Sequence, residues 1–284
     1  MSRINTLFLV TFFLTIITSC NSNKVEEPCD CENYYQISIR KNNALIEFHE
    51  AYTGENISDF LNLVLTDSLL FEDSVIEMSI EEFFQVFTVN ISANSQFNNS
   101  PQIGFAEAKD TAAIKQVFER GQYYHWTDLY PIRFLWSKNP DFFAHSEEDL
   151  YALYAINTET ADGISINEEA IKNATARFDA NFNEQVVELE MNEKGKKQWG
   201  LYTQQNVGNF IAMISFNKVM SAPVINGPIT GGFTVISGGM TKDEAEELSQ
   251  FFNCSKMIRD MGKEDFEKQL RNCRKITPSA NAGL

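Results

Sequence analysis

The sequence is poor in positive charge, in histidine and in long apolar runs. Its 284 residues include 23 Lys or Arg against 39 Asp or Glu, a formal net charge of −16. A nucleic-acid binder needs a basic face to meet phosphates, so that class is excluded. The three histidines, His49, His125 and His145, are scattered along the chain. His49-Glu50 is followed at position 53 by Thr, where a zincin helix needs a second His. No G-x-S-x-G is present, and Gly227-Pro-Ile-Thr-Gly-Gly232 lacks the Lys of a phosphate loop, so its glycines read as turns. The acidic pairs Glu81-Glu82 and Glu246-Glu247 fall on helices as solvent-facing charge. No catalytic constellation, metal site or cofactor box emerges, and the expectation is a non-enzymatic protein. At 43% hydrophobic and 22% charged residues the chain folds rather than staying disordered. It has material for one large domain or two small ones.

The one strong apolar run lies at the start. Leu7–Ile17 follows Arg3 and is eleven residues long, short of the roughly 20 that span a bilayer as a helix. It suits the h-region of a signal peptide over residues 1–19. Ile17-Thr18-Ser19-Cys20 resembles a bacterial lipobox, which implies cleavage before Cys20 and lipidation of that residue. Two or more acyl chains anchor a protein firmly. Loss of Arg3 with the leader makes the mature charge 22 − 39 = −17. Repulsion from anionic lipid leaves the acyl chains as the attachment. Later in the chain no apolar run approaches a membrane span. Asn21 follows Cys20 where an inner-membrane retention signal carries Asp, which favours the periplasmic face of the outer membrane. Residues 20–44 read as a tether, polar over Asn21–Pro28.

With Cys20 assigned to lipid, Cys29, Cys31, Cys254 and Cys273 remain, an even number in an oxidising compartment. Cys254 and Cys273 bracket a short helical stretch and form the favoured disulfide. Cys29-Asp30-Cys31 is too closely spaced to pair internally without strain. Pairing of Cys29 and Cys31 with the other two remains open.

Residues 45–91 read as helical. Ile57, Phe60, Leu61, Val64 and Leu65 have helical spacing, and Ser79-Ile-Glu-Glu82 is a capping box. The polar stretch 92–101 is the expected domain boundary. Beyond it the periodicity mixes strand and helix. A strand near residue 103 leads to a helix over Thr111–Arg120 stopped by Gly121, then a strand at Leu150–Ile156. Asn167 caps an expected helix over Glu168–Phe178. Gln185–Met191 alternates as a half-buried strand, and Asn192 caps a helix over Glu193–Gln205. Phe210–Phe216 and Val219–Val224 flank a turn at Asn217-Lys218. Phe233–Ile236 is the last strand, and Thr241-Lys-Asp-Glu244 opens a helix through Phe252. Residues 254–284 form a helical tail. The expected fold class is α+β: a helical N-terminal region, then a ferredoxin-like mixed or antiparallel sheet with helices on one face. Tyr123, Tyr124, Trp126 and Trp136 are candidates either for core packing or for an aromatic strip that binds extended polypeptide.

Six pieces carry a family resemblance: Val187–Gly195, Thr203–Gly208, Ser221–Ile225, Ile229–Gly232, Ile236–Gly239 and Glu244–Leu248. In this order, with Ile103–Ala106, Asp110 and Ile132–Trp136 upstream, they resemble the first large extracytoplasmic domain of the protein-export subunit SecD over about residues 101–253. Asn206, Gly208, Ala222, Pro223, Gly231, Gly232 and Gly238 are its family-motif positions, with a structural role. Ser215-Phe216-Asn217 stands where the family has Leu-Asp-Gly, so the acidic turn is lost. The family's membrane helices, which power export with proton flow, have no counterpart here. The resemblance therefore implies a lipid-anchored module that binds a protein or extended polypeptide and assists or associates with export. The alternative is an interaction lipoprotein that reuses the fold for an unrelated envelope partner or ligand.

Overall fold

The computed structural model describes residues 31, 32, 34, 46–92, 98–125, 132–140, 149–159, 166–181 and 183–276. The leader, Cys20, Cys29, Trp126 and His145 lie outside them.

From residue 46 on, the described residues follow the order β1 (Glu47–Tyr52), α1 (Ser58–Thr66), α2 (Ile80–Val86), β2 (Thr88–Val89), β3 (Gln102–Glu107), α3 (Thr111–Tyr124), β4 (Ile132–Trp136), β5 (Leu150–Asn157), β6 (Ile171–Asp179), β7 (Glu184–Met191), α4 (Glu193–Gln205), β8 (Phe210–Ser215), β9 (Lys218–Ser221), β10 (Phe233–Met240), α5 (Lys242–Met261) and α6 (Lys263–Ile276). The fold is α+β. Its strands form two antiparallel sheets. A seven-stranded sheet runs β2-β3-β5-β1-β8-β9 with β4 on the far edge of β5, and a three-stranded sheet runs β10-β7-β6. The larger sheet curls until β4 meets β9, where the Lys138 N–H donates to the Val219 carbonyl at 2.8 Å.

β1 overturns two expectations. Residues 47–52 form a strand, not a helix, and it lies between β5 and β8 in the middle of the large sheet. Phe48 and Ala51 alone carry its buried faces, a signal too sparse to show a period. Its strand state comes from neighbours on both edges. The boundary at 92–101 also dissolves. α1, α2 and α3 pack as one layer on β3, β4 and β5, through Phe60, Val64, Phe83, Phe118, Phe134 and Trp136. The capping box at Ser79 forms as expected, with the Ser79 hydroxyl accepting from Glu82 N–H and Glu82 accepting from Ser79 N–H.

A second core joins Phe48, Ile211 and Met213 of the large sheet to the small sheet and to α4 and α5, with Trp199 fully buried near its centre. Here the expected helix over Glu168–Phe178 is a single 3-10 turn followed by β6. Asn167 does cap, accepting from Glu169 N–H at 3.0 Å. Pairing with β7 and burial of Ile171 and Ala174 against α5 then override the local helical composition. α5 closes the outer edge of β6 with one side chain. The Asn253 amide accepts from Ala174 N–H at 2.9 Å and donates to Ala174 C=O at 2.8 Å.

Gly121 does not stop α3, which runs on to Tyr124. A Cβ at Gly121 would stand 2.5 Å from a Val64 methyl, so the glycine lets α1 approach α3. α5 extends nine residues beyond Phe252, to Met261, and α6 follows Gly262.

Cys254 is bonded to Cys31, with Cα atoms 5.4 Å apart, which replaces the favoured pairing with Cys273. Both sulfurs are buried with Phe266 and Leu270 of α6. The stretch expected as a free tether is thus fastened to α5 by residue 31. The sequence could not choose this pairing, since it closes over 223 positions.

Candidate functional site

A cleft of about 330 Å³ opens where the tip of the β8–β9 hairpin, the end of β10 and the first half of α5 meet. Met240, Leu248 and Phe251 are its buried floor, and Phe216 and Met220 its walls. The α5 residues arrive there because Thr241 caps the helix, accepting from Glu244 N–H, while Leu248 and Phe251 turn inward at helical spacing. Phe216 and Asn217 take the hairpin turn with φ of 50° and 62°. At this tip the Phe216 ring packs 4.7 Å from Phe251.

Polar groups line the mouth: Tyr34, Lys138, Asn139, Glu244 and Glu247. The Tyr34 hydroxyl donates to Gln250 Oε1 at 2.8 Å, and its ring lies edge-on to Phe251. Its position follows from Cys31, three residues earlier and held on α5. Burial, and then the charge of Glu247, push the Tyr34 hydroxyl's pKa up. Lys138 Nζ bonds Glu244 Oε1 at 3.2 Å. Backbone donation from Thr241, ahead of the Lys138 contact, lowers the Glu244 carboxyl's pKa. Asn139 donates to the carbonyls of Gly238 and Gly239 at 3.1 and 3.4 Å, and Glu184 accepts from Gly239 N–H at 2.8 Å. These bonds hold a bulge that interrupts the pairing of β10 with β7.

Of the seven motif positions, only Gly238 touches the cleft wall. It has φ +130°, and a Cβ there would stand 2.1 Å from the Met220 carbonyl oxygen. The rest brace the scaffold. Asn206 ends α4 and donates to Tyr202 C=O at 2.8 Å. Gly208 N–H donates to Ile225 C=O, and Pro223 C=O accepts from Ile211 N–H, so the Ala222-Pro223 segment runs beside β8. Gly231 and Gly232 precede β10, with Gly232 C=O accepting from Met191 N–H.

The aromatic candidates separate. Trp136 is core, its indole N–H donating to Thr111 C=O at 2.9 Å. Tyr123 and Tyr124 are exposed, and the Arg120 guanidinium lies 4.9 and 5.2 Å from their ring centres. Tyr124 and Arg120 both donate to Asp73 Oδ2, at 2.6 and 2.7 Å. The Tyr124 hydroxyl first, then the Val75 N–H, then Arg120, hold the Asp73 carboxyl down at about 2.

His49 Nε2 lies 3.1 Å from Glu47 Oε2, which also accepts from Arg133. The His49 bond leads in lowering the Glu47 pKa. Among the described residues no three His, Cys, Asp or Glu side chains are gathered to hold a metal ion. No helix among them is long and apolar enough to cross a membrane.

Residues 154–257 match the family model of the SecDF P1 head subdomain. This span runs from β5 to α5 and contains most of the cleft. Protein translocase subunit SecD of Rickettsia bellii is 42% identical over 81 residues, 28% of this chain and 16% of that protein. The SecD of Dictyoglomus turgidum is 40% identical over 98 residues, 34% of this chain and 24% of that protein. The chain thus spans 16% to 24% of the length of these two relatives. A solved structure of SecDF, described as a membrane component that enhances protein export, aligns over 74% of this chain and 93% of its own, with 19% identity and a TM-score of 0.32.

Proposed function

We propose that this chain, whose residues 154–257 form a SecD head domain, is a lipid-anchored, non-catalytic module that binds extended polypeptide in association with protein export. The cleft carries this reading. Its floor is apolar and buried, and its mouth is polar. At about 330 Å³ it sits at the low end of sites that hold small ligands, roughly 300–1,000 Å³. One or two side chains of an extended chain fit such a space. Met220 and Met240 adapt to differing shapes because thioethers are flexible and polarisable. Binding of this kind needs no catalytic group. The lipobox-like Ile17–Cys20 supports anchoring through Cys20, and Asn21 supports the periplasmic face of the outer membrane. Anchoring would hold the head beside the membrane.

The test is a photoreactive residue at Met220 of the full chain in its native cells. The reading expects capture of translocon subunits or of chains in export, and no such capture from exposed Phe178, outside the cleft. Equal capture from both positions, or capture only of an unrelated envelope protein, would overturn the export reading. The second outcome would favour a borrowed fold.

A further inference from the structure

We infer that the cleft prefers an extended polypeptide segment that places an apolar side chain on the Met240–Leu248–Phe251 floor and a Lys or Arg beside it, against Glu247. The inference rests on the polypeptide-binding reading and adds the chemistry of the segment. The cleft's own charges carry it. Three charged side chains line it: Lys138, Glu244 and Glu247. Lys138 and Glu244 answer each other at 3.2 Å. Glu247 has no ion-pair partner among the described residues and stands exposed at the mouth. The lining therefore carries one uncompensated negative charge beside an apolar floor.

The neighbourhood fixes the side on which a cation would sit. Burial first, and then the like charges of Lys115 and Lys138, lower the pKa of Lys218 on β9. Lys218 follows the hairpin turn at Phe216-Asn217 directly and disfavours a cation there, which leaves the α5 side. There Glu247 offers a carboxylate and the Tyr34 ring a π face. The net charge of −16 attracts cationic segments at longer range.

The experiment uses the purified full chain and three ten-residue peptides of Ala and Ser. Each carries one Phe flanked on both sides by Lys, by Gln or by Glu, and Kd is measured at low and high salt. The Lys peptide is expected to bind about three-fold tighter than the Gln peptide and the Glu peptide about three-fold weaker, the size of exposed charge pairs. The spread should shrink as salt screens the pair. Glu247→Gln should bring the three affinities together, with an unchanged melting temperature showing that the fold is intact. If the three peptides bind the native chain equally, or the Glu peptide binds best, this inference is overturned while the polypeptide-binding reading stands. If none binds, that reading falls too.

Discussion

Gly238 offers the sharpest test of how the cleft wall is built. It sits at the β10 bulge with φ +130°, where a Cβ would stand 2.1 Å from the Met220 carbonyl oxygen. Gly239 beside it has φ +66° and nothing within 4 Å of its would-be Cβ. Alanine at 239 meets only the left-handed penalty, about 1 kcal/mol. Alanine at 238 meets a disallowed φ and a backbone clash that no rotamer relieves, together about 3 kcal/mol or more. For a protein of this size, each kcal/mol moves the melting temperature by roughly 2–4 °C. Gly238→Ala should therefore melt roughly 6–12 °C below the native chain, and Gly239→Ala only about 2–4 °C below it. Urea unfolding with unchanged m-values should reproduce the difference. If the two variants agree within about 0.5 kcal/mol, ordinary scatter for mild substitutions, then β9 and β10 do not meet as described.

Three further outcomes follow from the same structure. Reducing the Cys31–Cys254 bond, which closes over 223 positions, should cost up to about 5 kcal/mol of global stability in the chain-entropy account; peptide mapping without reductant should recover Cys31 linked to Cys254, and a Cys254–Cys273 peptide would refute the topology. Asn253→Leu should cost about 2–4 kcal/mol in urea unfolding, because Ala174 N–H and C=O would both be left buried and unpaired. Asp73 titrates low, so its folded form is favoured above the ordinary carboxylate pKa of 3.8, and that contribution is lost as pH falls through about 2. Carboxyl NMR should place its midpoint near that value, and Tyr124→Phe should raise it; an unmoved midpoint would remove Tyr124 as the leading cause.

Local signals are legible where one side chain decides an element. Asn192 caps α4 over Glu193–Gln205 as expected, accepting from Gly195 N–H, and the Thr241 and Ser79 boxes form at their predicted places. The alternation of Gln185–Met191 is β7. Elements made by their neighbours were not legible. β1 has only two well-buried positions, and β6 carries helix-forming composition that pairing with β7 overrides. Gly121 looks like a stop in one dimension and is a contact point in three. The expected single sheet is two, and β1 joins the larger one from outside the expected domain. The cleft was illegible for a related reason. It gathers Tyr34, Asn139, Met220, Met240 and Phe251 from five separate segments, and no motif spans them.

The most direct test of the central claim is methyl NMR of the methionines in the intact chain, titrated with an unfolded polypeptide. Met220 and Met240 line the cleft, while Met191 and Met213 lie in the core behind it. The account predicts that the Met220 and Met240 methyl signals shift and saturate together while those of Met191 and Met213 stay in place. Shifts spread evenly over all four, or none at saturating polypeptide, would contradict it.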